Sequence, residues 1–317
     1  MKRILATSLA MSVALAVSAG SSAFAADKPK LAFVVNIAAD FWKAAEAGTK
    51  KAQEELPNYE LIFKYPDQST VAIQNQIMDD LVTAGVKAIM VSAIDPNAID
   101  KLNDIASKTA LFTMDSDSAK SKRIAYVGSS NTALGVQAGQ VAKEALPNGA
   151  KCMGIVGHLD AANFTERRDG FNEGVKGTKI ELVDTRDDGG DQTVAKKNVE
   201  DILVAKPDIN CFVGFYSYST PAIYQAVKNA NMLGKITMIA FDDDPITLGG
   251  VKEGTIAGTV VQQPYEWAHQ GFKLMAKYIE GDKSGIPADG VIIIPGSILH
   301  KADIDAYSAN LAKMQGK

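Results

Sequence analysis

Aromatic and acidic side chains stand directly after several short apolar segments of this chain. The stretch from Asn36 to Trp42 follows the first segment and ends in two adjacent aromatic residues. Later apolar segments are followed by Asp115, by Tyr216-Ser217-Tyr218 and by Asp242-Asp243-Asp244. Aromatic faces cover the apolar C–H patches of a sugar ring, and carboxylates and amides take its hydroxyl groups in pairs. These residue types predict a site that binds a sugar or a polyol.

The segments that carry these residues are continuous apolar runs, such as Leu31 to Val35, Ala88 to Val91 and Ala110 to Met114. Continuous runs indicate strands buried on both faces, as in a parallel sheet that is covered by helices. Helical segments separate the runs along the chain. Open parallel sheets bind ligands beyond the carboxyl ends of their strands, so we expect the aromatic and acidic residues to meet there.

The alternation of strands and helices restarts near Ile124, and the two similar blocks predict an α/β protein with two doubly wound parallel-sheet lobes. The tail is too short for a third domain and must complete the other two. The chain therefore crosses between the lobes several times, and we expect these crossings to form a multi-strand hinge. We assign residues 27–128 and about 262–286 to the first lobe. Residues 129–261 and about 287–317 form the second lobe and the tail. A hinge between lobes places the binding site in the cleft.

The first 25 residues have the three parts of a secretory signal peptide. A cationic start at Met1-Lys2-Arg3 precedes an apolar run from Ile4 to about Ala19, and a small-residue stretch ends in Ala23-Phe24-Ala25. A membrane anchor is the alternative, but a bilayer span takes about 20 apolar residues. We expect cleavage before Ala26 and secretion into a periplasm.

Composition and motifs exclude several classes of function. Loss of the leader lowers the formal net charge from -4 to -6, and a chain without clustered Lys and Arg is a poor nucleic-acid binder. The chain has no nucleophile elbow, P-loop or dinucleotide fingerprint, so we predict neither an enzyme nor a bound cofactor. Its three His and two Cys show no metal-ligand spacing. His158 follows a strand and could line the cleft, but it has no evident nucleophile partner.

The two cysteines, Cys152 and Cys211, each open an apolar run. If those runs are neighbouring parallel strands, the two sulfurs lie at the same level, and an oxidising compartment would then favour a disulfide. Two buried free thiols, acting as small apolar side chains, are the alternative.

The order of the strand-end motifs resembles the ribose-type branch of the periplasmic sugar-binding proteins, which have the type I fold, over nearly all of residues 27 to 300. The similar segments are Asp40-Phe41-Trp42, Phe112-Thr113-Met114-Asp115, Glu166-Arg167-Arg168-Asp169-Gly170-Phe171, Ile239-Ala240-Phe241-Asp242 and Val260-Val261-Gln262. The resemblance implies that the ligand contacts are the aromatic pair and one polar residue from each later motif, namely Phe41, Trp42, Asp115, Arg167, Asp242 and Gln262.

Four positions depart from the ribose-binding pattern. Ser116 stands where ribose binders carry Arg, Tyr216 where they carry Asn, Ala39 replaces a polar contact, and Gly190 stands near an expected aromatic residue. Asn163 adds a polar group four residues before Arg167, so both side chains can share one helix face. We add Tyr216 and Asn163 to the predicted ligand contacts. The changed hydrogen-bonding pattern argues against ribose itself.

In one arrangement of the aromatic pair, Trp42 faces the cleft and Phe41 packs inward. Only the ring of Trp42 would then contact the ligand. The resemblance implies an extracytoplasmic solute-binding protein that captures a sugar or polyol by hinge closure. It also implies a monomer that delivers its ligand to the membrane permease of an ABC importer. The alternative keeps this role for a non-sugar solute, such as a furanone-like signal or a nucleoside.

Overall fold

A computed structural model describes residues 27–314 of the chain, so the predicted leader lies outside the described residues. In that range, no helix combines the length and the apolar character that a bilayer span requires. The strands, in chain order, are β1 Lys30–Val34, β2 Glu60–Lys64, β3 Ala88–Val91, β4 Ala110–Met114, β5 Tyr126–Gly128, β6 Ala150–Val156, β7 Ile180–Asp187, β8 Cys211–Gly214, β9 Thr237–Phe241, β10 Gly258–Val261, β11 Val291–Ile293 and β12 Ser297–Leu299. The helices are α1 Trp42–Glu55, α2 Val71–Thr83, α3 Ile99–Lys108, α4 Asn131–Ala145, α5 Ala162–Gly174, α6 Gln192–Ala205, α7 Ser219–Asn229, α8 Pro245–Glu253, α9 Pro264–Ile279 and α10 Ile304–Met314.

The strands form two six-stranded sheets with matching orders, β11-β5-β4-β3-β1-β2 and β12-β10-β9-β8-β6-β7. The predicted fold, two similar doubly wound lobes, is therefore confirmed. All neighbours in the first sheet are parallel. In the second sheet, β12 runs antiparallel to β10 at the edge. Because the orders match position by position, β4 and β9 occupy equivalent places in the two lobes.

The chain passes between the sheets three times, after β5, after β10 and after β11. All three passages lie on the same side of the sheets, because β5 and β11, like β10 and β12, form one edge. We expected the last return to the second lobe at about residue 287, and this was wrong. Val291–Ile293 pairs with Tyr126–Gly128 in the first sheet, so the return comes after Ile293. Backbone pairing at a sheet edge decides this boundary, and the apolar pattern of β11 does not show which sheet it joins.

Cys152 and Cys211 are paired residues on the neighbouring parallel strands β6 and β8. Their Cα atoms are 4.3 Å apart, and the structure joins the sulfurs in a disulfide. Both residues are fully buried in the core of the second lobe. The bond therefore ties together two strands whose ends carry residues toward the cleft.

Helices α4 and α5 pack backbone against backbone through glycines of both helices. A Cβ atom added at Gly135 would lie 2.1 Å from the carbonyl oxygen of Arg167, and one added at Gly170 would lie 2.1 Å from that of Thr132. Side chains larger than hydrogen would force the helices apart. This close approach sets the position of α5, which carries two of the predicted ligand contacts.

The disulfide is tested by a thiol count on protein purified from the periplasm and denatured without reductant. We expect no free thiol before reduction and two after it. Two thiols before reduction would show that the cysteines are not bonded to each other.

The helix contact is tested by Gly135→Ala. Because the new methyl group meets backbone that cannot yield, we expect a loss of stability of roughly 1–3 kcal/mol, measured by denaturant unfolding. Gly249→Ala in α8 is the matched control. Its Cβ meets nothing within 4 Å, so the better helix propensity of Ala should leave stability unchanged or slightly raised. Equal effects of the two substitutions would contradict the proposed contact.

Candidate ligand-binding cleft

All eight predicted contact residues line one cleft between the two lobes. The space in the cleft is no more than about 330 Å³. The lining residues are Asn36, Ile37, Ala39, Phe41, Trp42, Asp115, Asn163, Arg167, Tyr216, Ser217, Tyr218, Asp242 and Gln262. The structure therefore brings together residues that are spread over more than two hundred positions of the sequence.

Asp115 and Asp242 come directly after the equivalent strands β4 and β9, one in each lobe. Both have left-handed backbone conformations, with φ of 55° and 65°. Asp and Asn adopt this region more readily than most residues, whereas a β-branched side chain would be strained there. Each carboxylate is 3% exposed, so the repeated strand-end turn presents a buried acid from each side of the cleft.

The carboxylate of Asp115 accepts hydrogen bonds from both lobes. Ser92 of its own lobe donates to Oδ2 over 2.9 Å, and Nδ2 of Asn163 donates to the same atom across the cleft over 3.1 Å. Nη2 of Arg167 lies 3.5 Å from Oδ1, also across the cleft. Burial raises the pKa of Asp115, and the Arg167 charge opposes that rise. The carboxylate is thus held mainly by donors from the opposite lobe.

The guanidinium of Arg167 is 2% exposed and fixed on several sides. Its Nε donates to Oδ1 of Asn131 over 3.0 Å, and its Nη1 donates to the carbonyl of Phe215 over 2.8 Å. It also lies over the ring of Phe241, 5.0 Å from the centroid. Asn163 lies one turn earlier on α5 and faces the same cleft, as the spacing predicted. A guanidinium fixed in this way can present its remaining donor capacity without reorganising.

Asp242 and Gln262 form a second polar pair. Asp242 lies in the second lobe, and Gln262 directly follows β10, where the chain crosses between the lobes for the second time. Nε2 of Gln262 donates to Oδ1 of Asp242 over 2.9 Å. Oε1 of Gln262 is buried and has no hydrogen-bond partner among residues 27–314. Burial raises the pKa of Asp242 to about 7, with the Arg167 charge acting in the opposite direction. The pair therefore offers the cleft a carboxylate and an amide oxygen, both of which can accept hydrogen bonds from a ligand.

The aromatic pair does not have the arrangement considered from the sequence, in which Trp42 faces the cleft and Phe41 packs inward. Both rings line the cleft, but Trp42 is only 1% exposed and packs into the core of the first lobe, while Phe41 is half-buried. Nε1 of Trp42 donates to Oδ1 of Asn36 over 3.3 Å, which fixes the indole. Trp42 packs inward because it begins α1 beside Phe33 and Trp267. Phe41, the preceding residue, then has the more accessible ring.

Sequence reasoning named Tyr218 among the strand-end residues but not among the predicted contacts, and it missed the acid behind Tyr218, Asp188. The hydroxyl of Tyr216 donates to Oδ1 of Asn163 over 3.0 Å, and that of Tyr218 donates to Oδ1 of Asp188 over 2.6 Å. The run 187–191 has the composition of a solvated turn, yet Asp188 is 4% exposed, and burial raises its pKa to about 7. From its sequence, the segment that begins at Ile180 is expected to form a strand that ends at Asp184, whereas β7 continues to Asp187. Asp188 is therefore another residue that directly follows a strand.

Neighbouring acids have other roles. The side chain of Asp244 accepts from the backbone N–H of Ile246 and caps α8. Asp243 accepts from the hydroxyl of Tyr307 over 2.8 Å. In the described part of the chain, no group of three or more His, Cys, Asp or Glu side chains could hold a metal ion.

Comparisons with known proteins agree with this geometry. A family model described as "Periplasmic binding protein domain" matches residues 31–283. The chain is 27% identical to the ribose import binding protein RbsB of Haemophilus influenzae, over 92% of this chain and 99% of that protein.

Two solved structures have the same fold. A glucose-galactose binding protein from Geobacillus stearothermophilus superposes with a TM-score of 0.81 at 28% identity, over 87% of this chain and 99% of that one. A solute-binding protein from Burkholderia graminis, in complex with D-arabinose, has a TM-score of 0.81 at 27% identity, over 88% and 97%. The chain is therefore a binding protein and not an enzyme, as its motifs predicted. With the fold, the cleft and the family match in agreement, the chain belongs to the periplasmic binding protein family.

Proposed function

We propose that this protein captures a sugar or polyol between its lobes by hinge closure and delivers it to the permease of an ABC importer. The observation that carries the proposal is the pair of buried carboxylates, Asp115 and Asp242, which enter one cleft from opposite lobes. A ligand that bonds to both acids interacts with both lobes at once. Such a ligand is bound better when the lobes are closed, and this difference is what drives closure.

The chemistry of the cleft matches a polyhydroxylated ligand. Carboxylates and the free Oε1 of Gln262 accept from hydroxyl groups, whereas Arg167 and Asn163 donate to hydroxyl oxygens. The rings of Phe41 and Tyr216 supply apolar surface. The space in the cleft, at most about 330 Å³ with open solvent included, favours a single small solute. Relatives named for ribose, glucose with galactose, and arabinose support this class.

The charges that line the cleft argue against anionic ligands. Two carboxylates, those of Asp115 and Asp242, face a single guanidinium, that of Arg167. Ser116, which stands where the ribose binders carry Arg, is fully buried and adds no charge. Above pH 7, where Asp242 is mostly charged, a phosphorylated sugar or a sugar acid would bring another negative charge into a buried site, and like charges repel strongly there. We therefore propose an uncharged ligand.

The proposed place of action is the periplasm. The family match supports it, and the sequence pattern of residues 1–25 supports export through a cleaved signal peptide. We further propose that the protein acts as a monomer.

A thermal-shift screen tests the ligand class. Mature protein, unfolded and refolded to strip bound ligand, is mixed with pentoses, hexoses, sugar alcohols, nucleosides, sugar acids and sugar phosphates. Ligand at about 100 times its dissociation constant adds roughly 2.7 kcal/mol, which raises the melting temperature by a few degrees. We expect a shift with one neutral sugar or polyol. A shift with nucleosides alone would support the binding role but contradict a sugar or polyol as the ligand. A shift with a sugar phosphate would contradict the proposal of an uncharged ligand.

Asp242→Asn should weaken ligand binding and stabilise the ligand-free protein at pH 8. Asn keeps the left-handed backbone but removes the charge, and losing a charge-assisted hydrogen bond costs roughly 10-fold or more in affinity. Because folding raises the pKa of Asp242 from 3.8 to about 7, the folded state binds the proton more tightly. Wild-type stability therefore falls as pH rises from about 4 to about 7, and the variant escapes this loss.

Melting temperatures at pH 5 and pH 8 and isothermal titration with the screened ligand measure both effects. Asp208→Asn is the control, because Asp208 is exposed and its pKa is lowered by Lys151. It should give no gain in stability at pH 8 and no change in affinity. If Asp242→Asn binds as tightly as wild type, Asp242 is not a ligand contact.

A further inference from the structure

We propose that Ser69 and His158 form a latch between the lobes, at the mouth of the cleft, that slows release of the bound ligand. This proposal rests on the proposed function, because a latch matters only if the lobes open and close. Ser69 precedes α2 in the first lobe, and His158 follows β6 in the second. Oγ of Ser69 lies 2.8 Å from Nε2 of His158. Neither residue lines the cleft itself, so the contact joins protein to protein.

The contact between Ser69 and His158 lies far from the hinge. The three crossings lie at one edge of each sheet. This edge is formed by β5 and β11 in the first lobe and by β10 and β12 in the second lobe. Ser69 follows β2 and His158 follows β6, at or beside the opposite edges. When two bodies rotate about a hinge, atoms farthest from it separate most. A hydrogen bond at the mouth is therefore broken by a small opening and exists only in the closed form.

The hydrogen-bond roles are fixed by the surroundings. The hydroxyl of Ser69 donates to the carbonyl of Asn36 over 2.7 Å, so its oxygen is left to accept. His158 must then carry a proton on Nε2 and donate it to Ser69. Burial lowers the pKa of His158, so the neutral ring with its single proton on Nε2 suffices. The contact is a directed bond whose donor is the second lobe.

An apolar contact accompanies the bond. Gly190, after β7, packs so closely on Ile37 that an added Cβ atom would lie 2.7 Å from Cδ1 of Ile37. Ile37 packs against the apolar cores of both lobes. The same added Cβ atom would lie 3.5 Å from Cβ of Ser69, so this apolar contact is adjacent to the polar pair.

The size of the effect follows from the worth of one hydrogen bond. A net contribution of about 0.5–1.5 kcal/mol to the closed form corresponds to a roughly 2- to 13-fold slower release. The association rate should not change, because the ligand enters the open form before the latch exists. The latch therefore affects the dissociation rate, which carries most affinity differences among variants of one site.

Stopped-flow tryptophan fluorescence tests the latch, since Trp42 lies in the cleft. The probe is whichever of D-arabinose, D-ribose, D-galactose or xylitol gives the largest thermal shift. We expect Ser69→Ala and His158→Leu each to raise the dissociation rate roughly 2- to 10-fold, with no further rise in the double variant. His158→Gln, whose Nε2 can still donate, should restore much of the slow release. Ser107→Ala, at an exposed serine of α3, should leave both rates unchanged.

A dissociation rate that is unchanged in His158→Leu would overturn the latch while leaving the proposed function intact. If neither the four probes nor any other neutral sugar or polyol of the thermal-shift screen binds wild type, the proposed sugar role fails. The latch is then judged without ligand, from electron-spin distances between labels at Lys50 and Lys197, which are exposed residues of α1 and α6 in different lobes. Loss of the latch should lower the closed, short-distance population of ligand-free protein roughly 2- to 13-fold, and equal closed populations in wild type and His158→Leu would overturn it.

Discussion

The buried carboxylate of Asp115 is the constraint on which the rest of the cleft depends. Removing a charged carboxylate from water is costly unless donors replace the water. Here one donor, Ser92, comes from the same lobe, while Asn163 and Arg167 come from the other. The charge is therefore fully satisfied only when the lobes approach each other. A ligand that inserts its hydroxyl groups between these donors and acceptors completes a network that neither lobe can complete alone.

The two lobes repeat the same arrangement of strands, and this repetition places an acid on each side of the cleft. The two sheets have the same strand order, so the same strand-end turn delivers an acid from β4 and from β9. The glycine contact between α4 and α5 then brings Arg167 to the cleft with its other donors already bound to protein. The three crossings lie at one edge, so a hinge there would move the opposite edge most. In the proposed function, the hinge, the two acids and the guanidinium together bind one solute from both sides.

Much of this was predictable from sequence, because buried parallel strands are continuous apolar runs and their carboxyl ends face the ligand. That reasoning located Asp115, Tyr216 and Asp242, and the family resemblance added Arg167 and Gln262. The failures have physical causes. The sheet joined by β11 depends on edge pairing between distant residues, and Asp188 was missed because β7 extends three residues beyond its expected end at Asp184. The inward packing of Trp42 depends on Trp267, which is more than two hundred residues away in sequence.

The central claim is that a single solute bridges two lobes and closes them. The most direct test is the distance between the lobes, measured in solution by small-angle X-ray scattering of ligand-stripped protein with and without a saturating amount of the screened solute. The account predicts a smaller radius of gyration with the solute in wild type, and no change when Asp242→Ala removes the acid of the second lobe. A wild-type protein that binds its solute with no change in radius would contradict closure as the mechanism of capture.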